Sequence, residues 1–252
     1  MGYHDSMQLT DRVVLLTGGK RIGSAVAVEL ARRGADLSLS YRESRAEAEA
    51  TADAVRASGR RALVCQADVS RPEQCEALVA ATVAEFGRLD VLVNMASVYR
   101  AVPFDRMSPD DFQAALDIDL KASFLCARAA VPHMRAAGGG RIVNVADWLA
   151  ASRRPRYKGY LGYYVAKTAV MGLTEALALE LAEDQILVNA IAPGPIMAPP
   201  GLAEDELAAV EKATPLGRWG GAGAIAQAVA ALVETDFITG ETVRVDGGRH
   251  VR

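Results

Sequence analysis

Val13-Val14-Leu15-Leu16-Thr17-Gly18-Gly19-Lys20-Arg21-Ile22-Gly23 is the stretch on which the fold turns. Four consecutive apolar residues without alternation read as a strand buried on both faces. A helix is expected over residues 23–33, closed by Gly34 at the C-cap position. Glycines between a first strand and a first helix let the backbone approach a pyrophosphate, whose charge is met by amides at the helix N-terminus. A tight turn that binds nothing is the plain alternative.

Outward from this unit the pattern repeats. Further strands are expected over residues 37–40, 62–65, 91–93, 141–145, 186–192 and 242–245. Helices are expected through Ala57, over 74–86 and 109–134, and from near Tyr163. Strands separated by helices, with almost no hairpin signals, predict an α/β fold. Its sheet is doubly wound and mostly parallel, with seven strands and helices on both faces. Residues 1–10 are expected to be an N-terminal extension and 11–252 a single domain. Within it the Pro- and Gly-rich stretch 193–223 reads as an irregular, mobile substrate lid.

Composition narrows the function classes. With 28 basic against 31 acidic residues the net charge is -3, which gives no electrostatic reason to expect nucleic acid or an anionic membrane as partner. No apolar run reaches the length of about 18 residues that a membrane span needs, and the first dozen residues hold no secretory h-region. Cys65, Cys75 and Cys126 are odd in number and form no C-x-x-C pair. They read as buried thiols of a cytoplasmic protein. His4, His133 and His250 fit no metal constellation.

The second strand runs into Tyr41-Arg42-Glu43-Ser44. A site for NAD(H) would place an acidic side chain at that strand end to bind the ribose 2′-hydroxyl. Here Tyr41 and Arg42 come first, with Lys20 and Arg21 in the neighbouring turn. A guanidinium suits a 2′-phosphate through paired hydrogen bonds, so NADP(H) is favoured. A solvated surface role for Arg42 is the competing view.

Further motifs carry a family resemblance. They are the Gly-rich turn, Asp68-Val69 after the third strand, and Asn94-Met95-Ala96-Ser97 after the fourth. Tyr163-Tyr164-Val165-Ala166-Lys167, Asn189, Pro193-Gly194 and Asp246-Gly247-Gly248 follow. In this order and spacing the chain resembles the short-chain dehydrogenase/reductase family over almost its whole length. The resemblance implies a Rossmann-type fold in which Gly18, Lys20, Arg21, Ile22 and Gly23 hold the phosphates, with Tyr41, Arg42 and Ser44 at the second strand end. It implies that Asp68, beside Val69, contacts the adenine, and that Asn94, Ala96 and Ser97 flank the cofactor. Pro193, Gly194 and Ile196 are implied to hold the nicotinamide end, and a homotetramer is implied, with helices around 110–134 and 163–181 between subunits.

Several positions depart from the family pattern. Arg21 stands where glycine is common, Met95 replaces a second asparagine, Asp147 occupies the place of the catalytic serine, and Asp119 that of an active-site asparagine. Arg21, Ser97, Tyr99 and Asp147 together resemble the pteridine reductase branch. There the arginine and serine flank cofactor and pterin, the aromatic ring stacks on the pterin, and the aspartate joins the tyrosine in proton delivery.

Tyr163 and Lys167 are one helical turn apart and share a face. Tyrosine ionises near pH 10, too high for an efficient base at neutrality. A nearby ammonium and an oxidised nicotinamide would both favour phenolate. Asp147, if ionised, can only accept hydrogen bonds, which suits a substrate presenting N–H groups. If protonated by burial it can donate. Swinging away to pair with an arginine of Arg153-Arg154-Pro155-Arg156 is its non-catalytic alternative. Asp119 could reach Lys167 through water or pair with it directly. Tyr99, Trp148 and Tyr160 are candidates for a flat aromatic pocket, or for packing.

These residues predict an NADPH-dependent oxidoreductase acting on a pterin-like or other N-heterocyclic compound. The alternative is a reductase of an ordinary carbonyl or alcohol, such as a 3-oxoacyl thioester or a sugar. A non-catalytic NADP-binding protein is a third reading.

Overall fold

In the computed structural model, which describes residues 7–18, 20–199 and 201–252, Val13–Thr17 forms strand β1 with every residue buried. Most of the expected extension, together with His4 and Gly19, lies outside the described residues, as does Pro200 of the expected lid. The remaining strands are β2 (Asp36–Tyr41), β3 (Ala62–Gln66), β4 (Val91–Asn94), β5 (Gly140–Val145), β6 (Ile186–Pro193) and β7 (Thr242–Val245). They form one sheet in the order β3-β2-β1-β4-β5-β6-β7, with every pairing parallel.

Because side chains alternate along a strand, each strand feeds two cores. Leu16, Val91 and Val93 face helices α1 (Ile22–Arg32) and α9 (Ala222–Glu234) through Val26, Leu30 and Val229. Leu15 and Leu92 face the other side. There they meet α3 (Pro72–Phe86), α5 (Ala122–Ala136) and α7 (Leu161–Leu181) through Leu78, Leu125 and Leu181. Helix α2 (Arg45–Ala57) covers the edge near β2 and β3.

The chain leaves β1 toward β2 on one side and returns to β4 on the other, so a crevice opens at the carboxyl ends of β1 and β4. Thr17 ties its two walls together: its Oγ1 accepts the Met95 and Ala96 amides at 3.1 and 3.2 Å.

Two expectations are corrected. The helix expected over 109–134 is broken into α4 (Pro109–Leu116) and α5 by a π-helical turn at Asp117–Lys121. The wider turn buries Asp119, which is 1% exposed. The lid expected to be irregular contains helix α8 (Glu204–Ala213), and its last two residues, Ala222 and Gly223, begin α9. A short helix α6 (Trp148–Ala151), which the sequence did not suggest, follows β5. No helix of the described residues is long and apolar enough to cross a membrane. Cys75 and Cys126 are buried free thiols, whereas Cys65 is only partly buried.

Candidate active site

A cleft of about 1000 Å³ occupies the crevice and runs from the turn after β1 to the lid. At its first end, Gly18 has φ +80, and a Cβ there would lie 3.1 Å from Met95 O and Ala96 N. Glycine is therefore required for both conformation and space. A Cβ on Gly23 would meet the Gly18 carbonyl at 2.3 Å, so only glycine lets α1 start this close to the strand. Helix α1, beginning at Ile22, has no side-chain cap and no acid in its first turn. Its positive end is thus left for an anion.

Arg21 adopts φ 55, ψ -109, a conformation that costs a non-glycine residue about 1–3 kcal/mol and accounts for glycine being common here. Its Nη2 reaches across the cleft to Ala198 O at 3.3 Å.

Around the end of β2, Lys20 Nζ donates to Ser44 Oγ at 3.0 Å. Arg42 pairs with Glu43 at 3.0 Å, both exposed and both on the cleft wall, so the carboxylate of Glu43 is held by the guanidinium beside it. Tyr41 borders the same corner. Asp68 accepts the Ser70 amide and hydroxyl at 3.0 and 2.7 Å. The Ser70 hydroxyl, with Arg42 and Arg71 nearby, holds its carboxyl below the usual range despite some burial. Val69 packs beneath it in the core. A glycine cradle without room for Cβ, an open helix N-terminus, and Lys20 and Arg42 at the end of β2 fit a dinucleotide bearing an extra phosphate.

The reacting end is built from β4, β5, the π-helical turn and α7. Asn94 donates to Asn144 Oδ1 at 2.9 Å, and Asn144 to Thr174 Oγ1 at 3.0 Å. The buried Asn94 Oδ1 has no partner among the described residues. Ala96 and Ser97 line the cleft; the Ser97 hydroxyl gives its proton to Asp119, which leaves its oxygen to accept from a ligand. Asp119 also accepts the Val98 amide at 3.2 Å and forms a buried ion pair with Lys167 Nζ at 3.2 Å. Lys167 donates in addition to Val145 O at 2.8 Å. The direct pairing of the two alternatives is therefore the one observed.

Tyr163 Oη donates to Asp147 Oδ2 at 3.1 Å. Asp147 caps α6, its Oδ1 accepting the Leu149 amide at 2.7 Å. It forms no ion pair among the described residues, so the swung-away alternative is not what is found. Burial pushes the Asp147 carboxyl up, opposed by the Leu149 amide and the Tyr163 hydroxyl. The expectation that Lys167 would draw the phenol down is corrected. Burial, then Asp147 and Asp119, hold Tyr163 well above its ordinary value. The main physical reason is burial, which disfavours the phenolate; the two carboxylates add to it, and Asp119 also pairs with the Lys167 ammonium that would have opposed it.

Tyr99 stacks on Tyr160 with centroids 4.4 Å apart and meets the Tyr163 ring edge-on at 4.9 Å. These three tyrosines form the aromatic wall. Trp148 also borders the cleft but takes mainly the packing alternative: it is buried, with the guanidinium groups of Arg156 and Arg249 over its ring at 5.2 and 5.4 Å. Its face is therefore covered by cations. Pro193 ends β6, and a Cβ on Gly194 would strike Asp246 at 2.5 Å, which brings this loop hard against the strand that follows. Ile196 is buried beneath it. Sequence reasoning missed Trp219, Val210 and Arg249, which also line the cleft. The only signal was an arginine directly after Asp246-Gly247-Gly248.

Residues 19–250 match a family model described as Enoyl-(Acyl carrier protein) reductase. A short-chain dehydrogenase/reductase from Serratia marcescens superposes with a TM-score of 0.89 at 32% identity, covering 97% of this chain and 100% of that one. The chain belongs to the short-chain dehydrogenase/reductase family. Within that family, the 3-oxoacyl-[acyl-carrier-protein] reductase FabG of Staphylococcus aureus is 34% identical over 250 residues, 97% of this chain and 100% of the relative. A blue fluorescent protein from a metagenomic library, solved in complex with NADPH, has a TM-score of 0.88 at 33% identity, covering 96% of this chain and 99% of that one. As a member of this family the chain is an oxidoreductase, and its Tyr163 and Lys167 stand on the α7 face that borders the cleft.

Proposed function

We propose that this short-chain dehydrogenase/reductase is an NADP(H)-dependent reductase of a small carbonyl compound, such as a 3-oxoacyl thioester, with Tyr163 as proton donor. The observation that carries this reading is the neutral Tyr163 hydroxyl held 3.1 Å from Asp147 inside the cleft. The similarity to a 3-oxoacyl reductase and to a protein that binds NADPH supports it. When bound, the reduced nicotinamide supplies the hydride. Tyr163 gives its proton to the developing alkoxide and takes one back from the Asp147 carboxyl, which regains its own from water in the cleft. A phenol held high by burial and two carboxylates stays protonated at neutrality, the form that reduction uses. Protonated Asp147 donates to the carbonyl oxygen where a serine hydroxyl otherwise would.

A second reading, a pterin-like N-heterocycle, is favoured by the Tyr99–Tyr160 stack, which offers a flat ring face beside Tyr163. It uses Asp147 ionised, accepting from ring N–H groups. NADPH oxidation with 3-oxobutanoyl thioesters, simple ketones and dihydrobiopterin separates the readings. The carbonyl reading expects ketone turnover that falls as pH rises through the raised Asp147 value, because the acid form is the donor. In Asp147→Ser that alkaline loss should vanish while turnover persists. Pterin turnover that Asp147→Ser reduces by about 100-fold or more would instead establish the second reading. NADPH binding without turnover of any compound would leave a binding protein.

For the cofactor, Lys20, Arg42 and Ser44 are the 2′-phosphate residues of this proposal. Arg42→Ala should raise the Kd for NADPH by about 10- to 100-fold, the worth of a charged hydrogen-bonded pair, and barely change that for NADH. Equal losses in a fluorescence titration would refute the assignment.

We also infer that residues 11–252 act as one unit with 193–223 as its lid, and that the chain is a homotetramer. Exposed Phe124 on α5 and Val165 and Leu179 on α7 support the latter, since they lie on the two helices expected between subunits. A monomer mass by sedimentation would exclude it.

A further inference from the structure

Arg249 sits in the short helical turn after β7 and is 7% exposed. An arginine in such a place remains charged, and a buried cation without a compensating group is costly. Other buried charges here find different solutions: Asp119 is matched by Lys167 at 3.2 Å and Asp36 by Arg60 and Arg61 at 3.0 and 2.9 Å, while Arg141 has no carboxylate and donates to the Thr235 and Gly140 carbonyls at 3.1 and 2.9 Å from Nε and Nη1. No carboxylate lies within ion-pair distance of Arg249 among the described residues. Asp246, three residues before it, is engaged by His250 Nδ1 at 2.8 Å and by the Gly248 and His250 amides at 2.9 and 3.0 Å. Glu206, on the facing lid helix, accepts the Ala203 amide at 3.2 Å.

The guanidinium is used on one side only. Nη1 donates to Val210 O at 2.8 Å and to Thr214 Oγ1 at 3.2 Å, fastening the end of α8 to the body. Nε and Nη2 donate to nothing among the described residues. These two atoms form the side-on fork of parallel N–H groups that matches a carboxylate or phosphate edge. The group is oriented by Trp148, over whose ring it lies at 5.4 Å, and Trp148 directly follows Asp147. Arg249 and Tyr163 line the same cleft. So does Trp219, whose buried indole N–H also has no acceptor. Fastening α8 needs Nη1 alone and leaves the fork unexplained.

We propose that Arg249 is an oxyanion anchor of the substrate cleft, and that the preferred substrate carries a carboxylate or phosphate group beyond its reducible carbon. The proposal rests on the reductase reading given above and adds the charge of the substrate to it.

The test uses matched pairs with NADPH: acetoacetate against methyl acetoacetate, and dihydroxyacetone phosphate against dihydroxyacetone. The charged member of one pair should be preferred at least about tenfold in kcat/KM, and the pair that shows it tells carboxylate from phosphate. Arg249→Gln should lower kcat/KM for that member by about 10- to 100-fold, leave its neutral partner within about threefold, and leave NADPH affinity intact. Arg249→Lys, which keeps the charge but not the fork, should fall between; it carries the test if Arg249→Gln does not fold. No preference for charge, or equal losses on charged and neutral members, overturns the anchor. Thermal shift of the NADP⁺-loaded protein with the two anions separates this from failure of the reductase reading. If nothing is turned over, stabilisation by an anion in wild type and not in Arg249→Gln still supports the anchor, and its absence overturns it.

Discussion

Tyr163→Phe is expected to lower kcat on the preferred substrate by about 10²- to 10⁴-fold, the contribution of a positioned general acid, with NADPH affinity little changed. The substitution removes one hydroxyl and leaves the ring edge-on to Tyr99 at 4.9 Å, so the loss reports chemistry and not packing. The sign of the pH dependence follows from the same geometry. A phenol held above its ordinary value stays protonated through neutrality, so Tyr163 itself imposes no loss on reduction as pH rises there. Alcohol oxidation needs the phenolate and should climb with pH over that range. Single-turnover NADPH oxidation checks the first point; a variant retaining more than about a tenth of the wild-type rate would take Tyr163 out of the reaction.

Lys167→Met should cost about 3–5 kcal/mol of folding stability, because it leaves a buried carboxylate without its counter-charge. That corresponds to roughly 6–20 °C in Tm for a chain of this size. The partners are 3% and 0% exposed, so solvent offers Asp119 little relief. Ser97 and Val98 still donate to Asp119, which argues for the lower half of the interval. In the double variant Lys167→Met/Asp119→Asn most of the stability should return while activity does not. Calorimetry on the four proteins of this cycle isolates the pair term. Additive losses would show that the ion pair is not the cause.

The sheet was legible because its strands are apolar without interruption. Val13 to Leu16 and Val91 to Val93 are flanked by helices on both faces and need no polar side. Helix α8 was hidden by its surroundings. Glu204–Ala213 has an acidic first turn and a Glu206 that caps it, but prolines and glycines on either side outweighed that signal. The break at Asp117–Lys121 leaves the apolar spacing of a continuous helix almost intact, so periodicity could not reveal it.

At the site, residue types in order were enough to assemble much of the cleft wall, because Gly18, Tyr163 and Pro193 each sit at a strand end or helix start. What spacing could not supply was partnership. Whether Lys167 meets a water or Asp119, and whether Asp147 meets Tyr163 or an arginine, depends on packing between elements far apart in the chain. Arg249 was invisible for the same reason: its neighbours Trp148 and Val210 come from two other elements.

The strained Arg21 has a consequence for anyone engineering this enzyme. A family-average design would write glycine at this position, and relieving φ 55 would then raise heat resistance. The same change would delete the guanidinium that spans the cleft to Ala198. A sturdier protein with a slacker mouth is the outcome to guard against, and screens that score only survival of heating would select it.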